Sequence, residues 1–199
     1  MPLPSRIRKL VSSIRCLDLD GVLINNEIDI RYLTQYPAHD AWLLVTAREA
    51  FYITDSRYIE EVKKGLRGVT PVKFERSISE QVAVCCIKAG VYRLGVDERY
   101  LTVDQYNHLK RCFNKNISMV PANGCVEGLR AVKDPQELKL MREALRLDLK
   151  AYRFIRPWLK PGVTEFDILH RLEGFIRKEG VAFAFAPIIA SGPNAAYPH

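Results

Sequence analysis

No stretch of this chain is apolar for the roughly 20 residues a bilayer-spanning helix needs. The basic segment 1–15, with Arg6, Arg8, Lys9 and Arg15, is followed by no apolar leader core. A soluble, cytoplasmic protein with no membrane partner is expected. Cysteine is sparse and unpatterned. Cys16, Cys85, Cys86, Cys112 and Cys125 are odd in number, with one vicinal pair and no Cys-x-x-Cys, so neither a disulfide framework nor a zinc finger is indicated. Internal repeats and low-complexity tracts are also lacking, which excludes solenoids and arrays.

What is present is ordinary globular composition, 48% hydrophobic and 27% charged over 199 residues, enough for one large domain or two small ones. The formal charge of +7 raises the question of nucleic acid. Arg142, Arg146, Lys150, Arg153 and Arg156 recur every three or four residues as a basic stripe. Leu138, Met141, Leu145, Leu149, Tyr152 and Ile155 occupy another side of the same helix at core spacing, so the stripe reads as its wet face. Nucleic-acid binding is therefore not the expected role.

Along the chain, residues 5–16 read as a basic amphipathic helix and 17–24 as a first strand. Asn25-Asn26-Glu27 reads as a turn, and the alternation in 28–33 as a strand leading into the loop 34–40. Residues 42–46 and 50–54 are β-rich runs three residues apart, a hairpin whose Trp42 belongs in the core. Asp55 or Ser56 caps a helix that Gly65 and Gly68 stop. A strand at 69–74, a helix at 79–89, a strand at 92–97 and a helix at 102–112 follow, with Gly95 marking a close approach. This alternation defines an α/β domain with a mixed sheet. Asp134-Pro135 opens a long helix with Asp as N-cap and Pro in its first turn. Lys160-Pro161-Gly162 is a joint, Thr164 caps another helix, and 183–189 is an apolar run expected to be a strand.

One motif points elsewhere. Asp18-Leu19-Asp20-Gly21-Val22 resembles the nucleophile loop of haloacid-dehalogenase-type phosphatases. That chemistry needs a buried strand before the pair and acidic ligands for Mg²⁺ later. Here Arg15 interrupts the supposed strand and no such acidic pair follows.

Six segments, in order, resemble the Xaa-Pro peptidases: prolidase and aminopeptidase P, of the creatinase type, in peptidase family M24. They are Arg31-Tyr32-Leu33-Thr34, then Ala41-Trp42-Leu43-Leu44-Val45-Thr46, then Ile53-Thr54-Asp55-Ser56-Arg57-Tyr58. Val126-Glu127-Gly128-Leu129-Arg130-Ala131-Val132-Lys133-Asp134-Pro135-Gln136-Glu137-Leu138 is similar to the join between the family's two domains. Lys160-Pro161-Gly162-Val163-Thr164-Glu165 and Ala190-Ser191-Gly192-Pro193-Asn194-Ala195-Ala196-Tyr197-Pro198-His199 complete the set. The resemblance implies a creatinase/prolidase-type N-terminal domain at 1–126 and an incomplete α+β pita-bread domain at 127–199.

It also implies function. Family members hydrolyse the bond before proline with two divalent metal ions, Mn, Co or Zn, held by two Asp, one His and two Glu, and a bridging water made acidic by them is the attacking group. By resemblance His199 is a catalytic residue but no metal ligand: it hydrogen-bonds the substrate and the tetrahedral species. His39 and Asp40, in the loop 34–40, would bind substrate across a homodimer. All five metal ligands would lie beyond His199, so none is expected here and the chain alone should be inactive. Asp18, Asp20, Asp55, Asp97 and Asp104 sit in the first domain, and His39, His108 and His170 lack ligand-spaced partners. The alternative is a non-catalytic pita-bread relative that binds nucleic acid or protein partners.

Overall fold

The computed structural model describes residues 3–197, which divide into two compact units on either side of the Val132/Lys133 junction. In the first, α1 (Ser5–Cys16), β1 (Gly21–Ile24), α2 (Glu27–Thr34), β2 (Trp42–Thr46), β3 (Ala50–Thr54) and α3 (Ile59–Gly65) are followed by β4 (Thr70–Lys73) and α4 (Ile78–Ala89). Then come β5 (Arg93–Val96), α5 (Val103–Phe113), β6 (Ser118–Pro121) and α6 (Cys125–Ala131). The six strands form one mixed sheet in the order β4-β3-β2-β1-β5-β6. Pairing is antiparallel between β1 and β2 and between β2 and β3, and parallel elsewhere.

Helices cover both faces, which is why the central strands are apolar throughout rather than alternating. The two-residue period of a strand splits the hairpin. Leu43, Val45, Ala50 and Tyr52 face a core shared with Ile7, Leu10 and Ile14 of α1 and Ile30 and Leu33 of α2. Trp42, Leu44, Phe51 and Ile53 face the other core, with Val82 and Cys86 of α4 and Leu109 and Phe113 of α5. Each Val, Leu, Ile or Phe among them buried from water contributes about 1.5–3 kcal/mol. The edge strands β4 and β6 are short, half-exposed, and carry Pro71, Lys73 and Pro121, features that discourage pairing with another chain. Gly95 is required by its neighbours. A Cβ there would lie 2.8 Å from Leu19 Cδ1 and 2.9 Å from both Ala122 Cβ and Val22 Cγ2.

Several elements differ from the sequence expectation. Residues 28–33 are helical, within α2: Asn26 Oδ1 accepts from the Ile28 amide at 2.9 Å, so the supposed turn is an N-cap. The inward set is Ile30, Leu33 and Thr34, at helical spacing, while Ile28 is 60% exposed. Asp55 caps nothing; its Oδ1 accepts from the Arg57 amide at 2.8 Å in a turn that delays α3 to Ile59. The edge strand β6 was not read from the sequence. Helix α6 begins after Gly124, which holds φ +79°, and lies wholly in the first unit, across the 126/127 boundary expected from sequence. It stays there because Val126 is buried in the α1–α2 core and Arg130 bonds Asp29.

The second unit holds α7 (Pro135–Ile155), capped by Asp134 with Glu137 in a reciprocal box, then a 3₁₀ turn at Arg156–Trp158. Next are α8 (Glu165–Lys178), capped likewise by Thr164 and Asp167, and a second 3₁₀ turn at Gly192–Ala196. Phe154 and Phe175 stack with ring centres 4.8 Å apart, joining α7 to α8. Two expectations fail. Residues 183–189 form no strand, because a strand needs a neighbour and no sheet exists in this unit among the described residues. The apolar side of α7 is largely exposed, from Leu138 at 40% to Tyr152 at 59%; only Ala151 and Ile155 are buried.

Candidate active-site segments

The first candidate is the loop after α2. Gln35 takes left-handed φ +55°, and the Thr34 hydroxyl accepts from the Tyr36 amide at 3.2 Å, turning the chain sharply. Beneath it, the Tyr52 hydroxyl donates to the Pro37 carbonyl at 3.1 Å, and burial pushes that phenol up to about 12. His39 is exposed and lies against Tyr58, ring centres 5.7 Å apart. Asp40, at φ +45°, accepts from Arg57 Nη2 at 2.8 Å, and the same guanidinium donates to Asp55 through Nε at 2.9 Å. Hydrogen bonding to Arg57 holds the Asp55 carboxyl below the usual range. Arg57 thus fixes the loop that presents His39. The sequence reading placed Arg57 only inside a family segment; its signal was the Asp-x-Arg spacing, which lets one guanidinium serve both its own turn and a second carboxylate.

The second candidate is the loop 190–199. Ser191 is extended, and Gly192, at φ +54°, opens the 3₁₀ turn with Pro193 second in it. Glu165, the first residue of α8, reaches this loop. Its Oε1 accepts from the Ser191 amide at 2.6 Å, and Asn194 Nδ2 donates to both of its oxygens at 3.1 Å. These bonds hold the Glu165 carboxyl below the usual range, the Ser191 amide contributing most. His199 lies outside the described residues.

A third place merits inspection because ligands of open α/β sheets collect beyond the carboxyl ends of parallel strands, where strand order reverses. Here, past β1 and β5, the space is filled from within. Arg99 Nη2 bonds both Asp97 and Glu127, Tyr100 donates to Glu127 at 3.2 Å, and Arg130 bonds the buried Asp29 at 2.7 Å. The remaining cavity is about 10 Å³, space for one water. Burial, followed by the nearby Glu127 charge, outweighs Arg130 and leaves the Asp29 carboxyl raised.

The phosphatase-like pair is structural. Asp20 Oδ2 accepts from the Tyr92 and Arg93 amides at 2.9 and 2.8 Å, extending the β1–β5 junction, while Asp18 sits in a left-handed turn on the surface. His170 packs on Phe166, ring centres 4.2 Å apart. Arg142, Arg146, Lys150, Arg153 and Arg156 are exposed, and Lys150 pairs with Glu179 at 2.7 Å. All five cysteines are thiols; burial pushes Cys86 up to about 12. Among the described residues, no three His, Cys, Asp or Glu side chains converge to hold a metal ion, and no helix is long and apolar enough to cross a membrane. Among the described residues, no donor set is assembled for the two divalent ions the family implies.

Residues 6–132 match the creatinase/prolidase N-terminal domain, and residues 139–199 match metallopeptidase family M24. Peptidase YqhT of Bacillus subtilis is 29% identical over 195 residues, 98% of this chain and 55% of its own length. A putative Xaa-Pro aminopeptidase of Mycoplasma genitalium is 27% identical over 99% of this chain and 54% of its own. Among solved structures, the Xaa-Pro dipeptidase from Bacillus anthracis superposes with TM-score 0.81 at 30% identity, over 87% of this chain and 48% of that one. The chain therefore belongs to the creatinase/prolidase family of Xaa-Pro peptidases, carrying its N-terminal domain and the start of an M24 domain. It spans about half the length of the curated relatives it matches.

Proposed function

We propose that this chain is the N-terminal portion of a cytoplasmic, homodimeric, dimetal Xaa-Pro aminopeptidase or dipeptidase, which hydrolyses the peptide bond preceding proline. The observation that carries the reading is the succession, in one chain, of the creatinase/prolidase N-terminal domain and an M24 segment that runs to His199. The metal ligands are proposed to lie in residues beyond this sequence. The 199 residues alone are then inactive. The Xaa-Pro bond is a tertiary amide without an N–H, so its cleavage calls for a site that does not depend on that donor.

His199 would donate a hydrogen bond to the substrate backbone where negative charge develops, and His39 with Asp40 would meet the substrate from the second subunit. In support, His39 is exposed, lies against Tyr58, and neighbours Asp40, which Arg57 holds. The test is hydrolysis of a Xaa-Pro dipeptide and of a longer peptide with proline second, by the whole protein containing this chain, with divalent metal added. His199→Ala should lower kcat about 10²–10³-fold, the usual effect of losing one such donor. Removing the metal should abolish activity; turnover that persists without metal would contradict the reading.

The exposed basic residues of α7 favour one second reading, a non-catalytic relative that binds nucleic acid or a protein partner. Affinity that falls steeply with salt, and is lost on neutralising Arg142, Arg146 and Lys150, would support it.

A further inference from the structure

We infer that Glu165 is a positioning residue, a carboxylate clamp that sets the loop 191–197 and with it the approach of the chain to His199. The inference rests on the proposed role of that loop. Glu165 is not needed to start its own helix: the Thr164 amide bonds Asp167 Oδ2 at 3.0 Å, and the Asp167 amide bonds Thr164 Oγ1 at 3.2 Å. The capping box is complete without it, so the carboxylate at the first position of α8 is available to another segment. The helix dipole favours a negative charge there, which keeps the group an ionised, acceptor-only partner.

The loop itself has little else to hold it. Within it, the Asn194 amide bonds the Ser191 carbonyl at 3.2 Å and the Tyr197 amide bonds the Asn194 carbonyl at 3.0 Å. No side chain of the 3₁₀ turn is buried. Among the described residues, every hydrogen bond tying 191–197 to another element ends on Glu165. One carboxylate therefore fixes both the backbone at Ser191 and the side chain at Asn194, at the two sides of Gly192 and Pro193. Two anchors that close together determine the direction in which the chain leaves the turn, not merely its proximity to α8.

Amide hydrogen exchange at Ser191 in the whole protein containing this chain tests the clamp, with the Asp167 amide as a control for the start of α8. Glu165→Ala should accelerate exchange at Ser191 at least about tenfold, since hydrogen bonds to charged groups are among the stronger ones, while Asp167 is unchanged. Asn194→Asp sets two carboxylates face to face and should loosen the loop similarly. Combining it with Glu165→Gln should restore protection, because the glutamine amide donates to the new carboxylate while its oxygen accepts from Ser191. If Glu165→Ala also disturbs Asp167, the rescue decides. Unchanged Ser191 exchange in Glu165→Ala with Asp167 intact, or a double variant no better protected than Asn194→Asp, would overturn the clamp. Because the readout is loop order, it separates from hydrolysis: a loose loop in an active peptidase refutes the clamp, and a held loop in a protein that cleaves nothing refutes only the peptidase reading.

Discussion

Tyr52 brings a hydroxyl into the core only because the Pro37 carbonyl accepts it. Tyr52→Phe should cost about 1 kcal/mol, the ordinary net value of such a bond. The pH dependence follows from the same burial. The folded state holds this proton more tightly than the unfolded state, with the phenol moved from 10.0 to about 12. Its stabilising contribution is complete below pH 10 and is lost as pH rises towards about 12. Urea unfolding followed by circular dichroism should show that decline in the parent and a shallower one in the variant, where Tyr36, also raised by burial, remains. Equal slopes would contradict the assignment. At Asp29 the linkage has the same sign, since burial again raises the folded-state group. Arg130→Ala leaves a buried carboxylate without its cation and should destabilise by about 1–2 kcal/mol at neutral pH, less than for a fully buried pair because Arg130 is partly exposed. Since burial already raises Asp29, acidification protonates it and the deficit should shrink as pH falls. A deficit that grows on acidification would refute this.

At the scale of elements, two junctions decide how the candidate loops are presented. Gly95→Ala forces a methyl against Leu19, Val22 and Ala122 where β5 meets β1 and β6, and should cost about 1–3 kcal/mol as overpacking does. Arg57→Ala unties Asp40 from Asp55; the His39 ring signals in NMR should lose the shift imposed by Tyr58, with little change in melting temperature because the pair is solvated. An unmoved His39 signal would mean that the loop is held by Tyr52 and Pro37 alone. These elements also show what was legible beforehand. The hairpin and α1 carry clear apolar patterns, α4, α5, α7 and α8 add explicit N-caps, and Gly95 was readable as a close approach. The helix α2 was not, because Ile28, Ile30 and Tyr32 imitate strand alternation, and only the Asn26 cap betrays it. β6 is four residues long and half-exposed, too short to show a period. Of the candidate site, the loops were visible as turn chemistry, but Arg57 and Glu165 were not, since their roles depend on contacts 17 and 26 residues away in sequence.

For the whole molecule, the first unit has two filled cores and a sheet whose crevice beyond β1 and β5 is occupied by its own ion pairs. The second unit is two helices and a clamped loop, with the apolar side of α7 largely exposed. Such a unit fits the opening of a larger catalytic domain, as its M24 match implies. The most direct test is to read the coding sequence past the codon for His199. The account predicts a continuing frame that supplies two Asp, one His and two Glu in family order, and a product that hydrolyses Xaa-Pro peptides only with divalent metal. A stop codon there, or a continuation lacking those ligands, would contradict it.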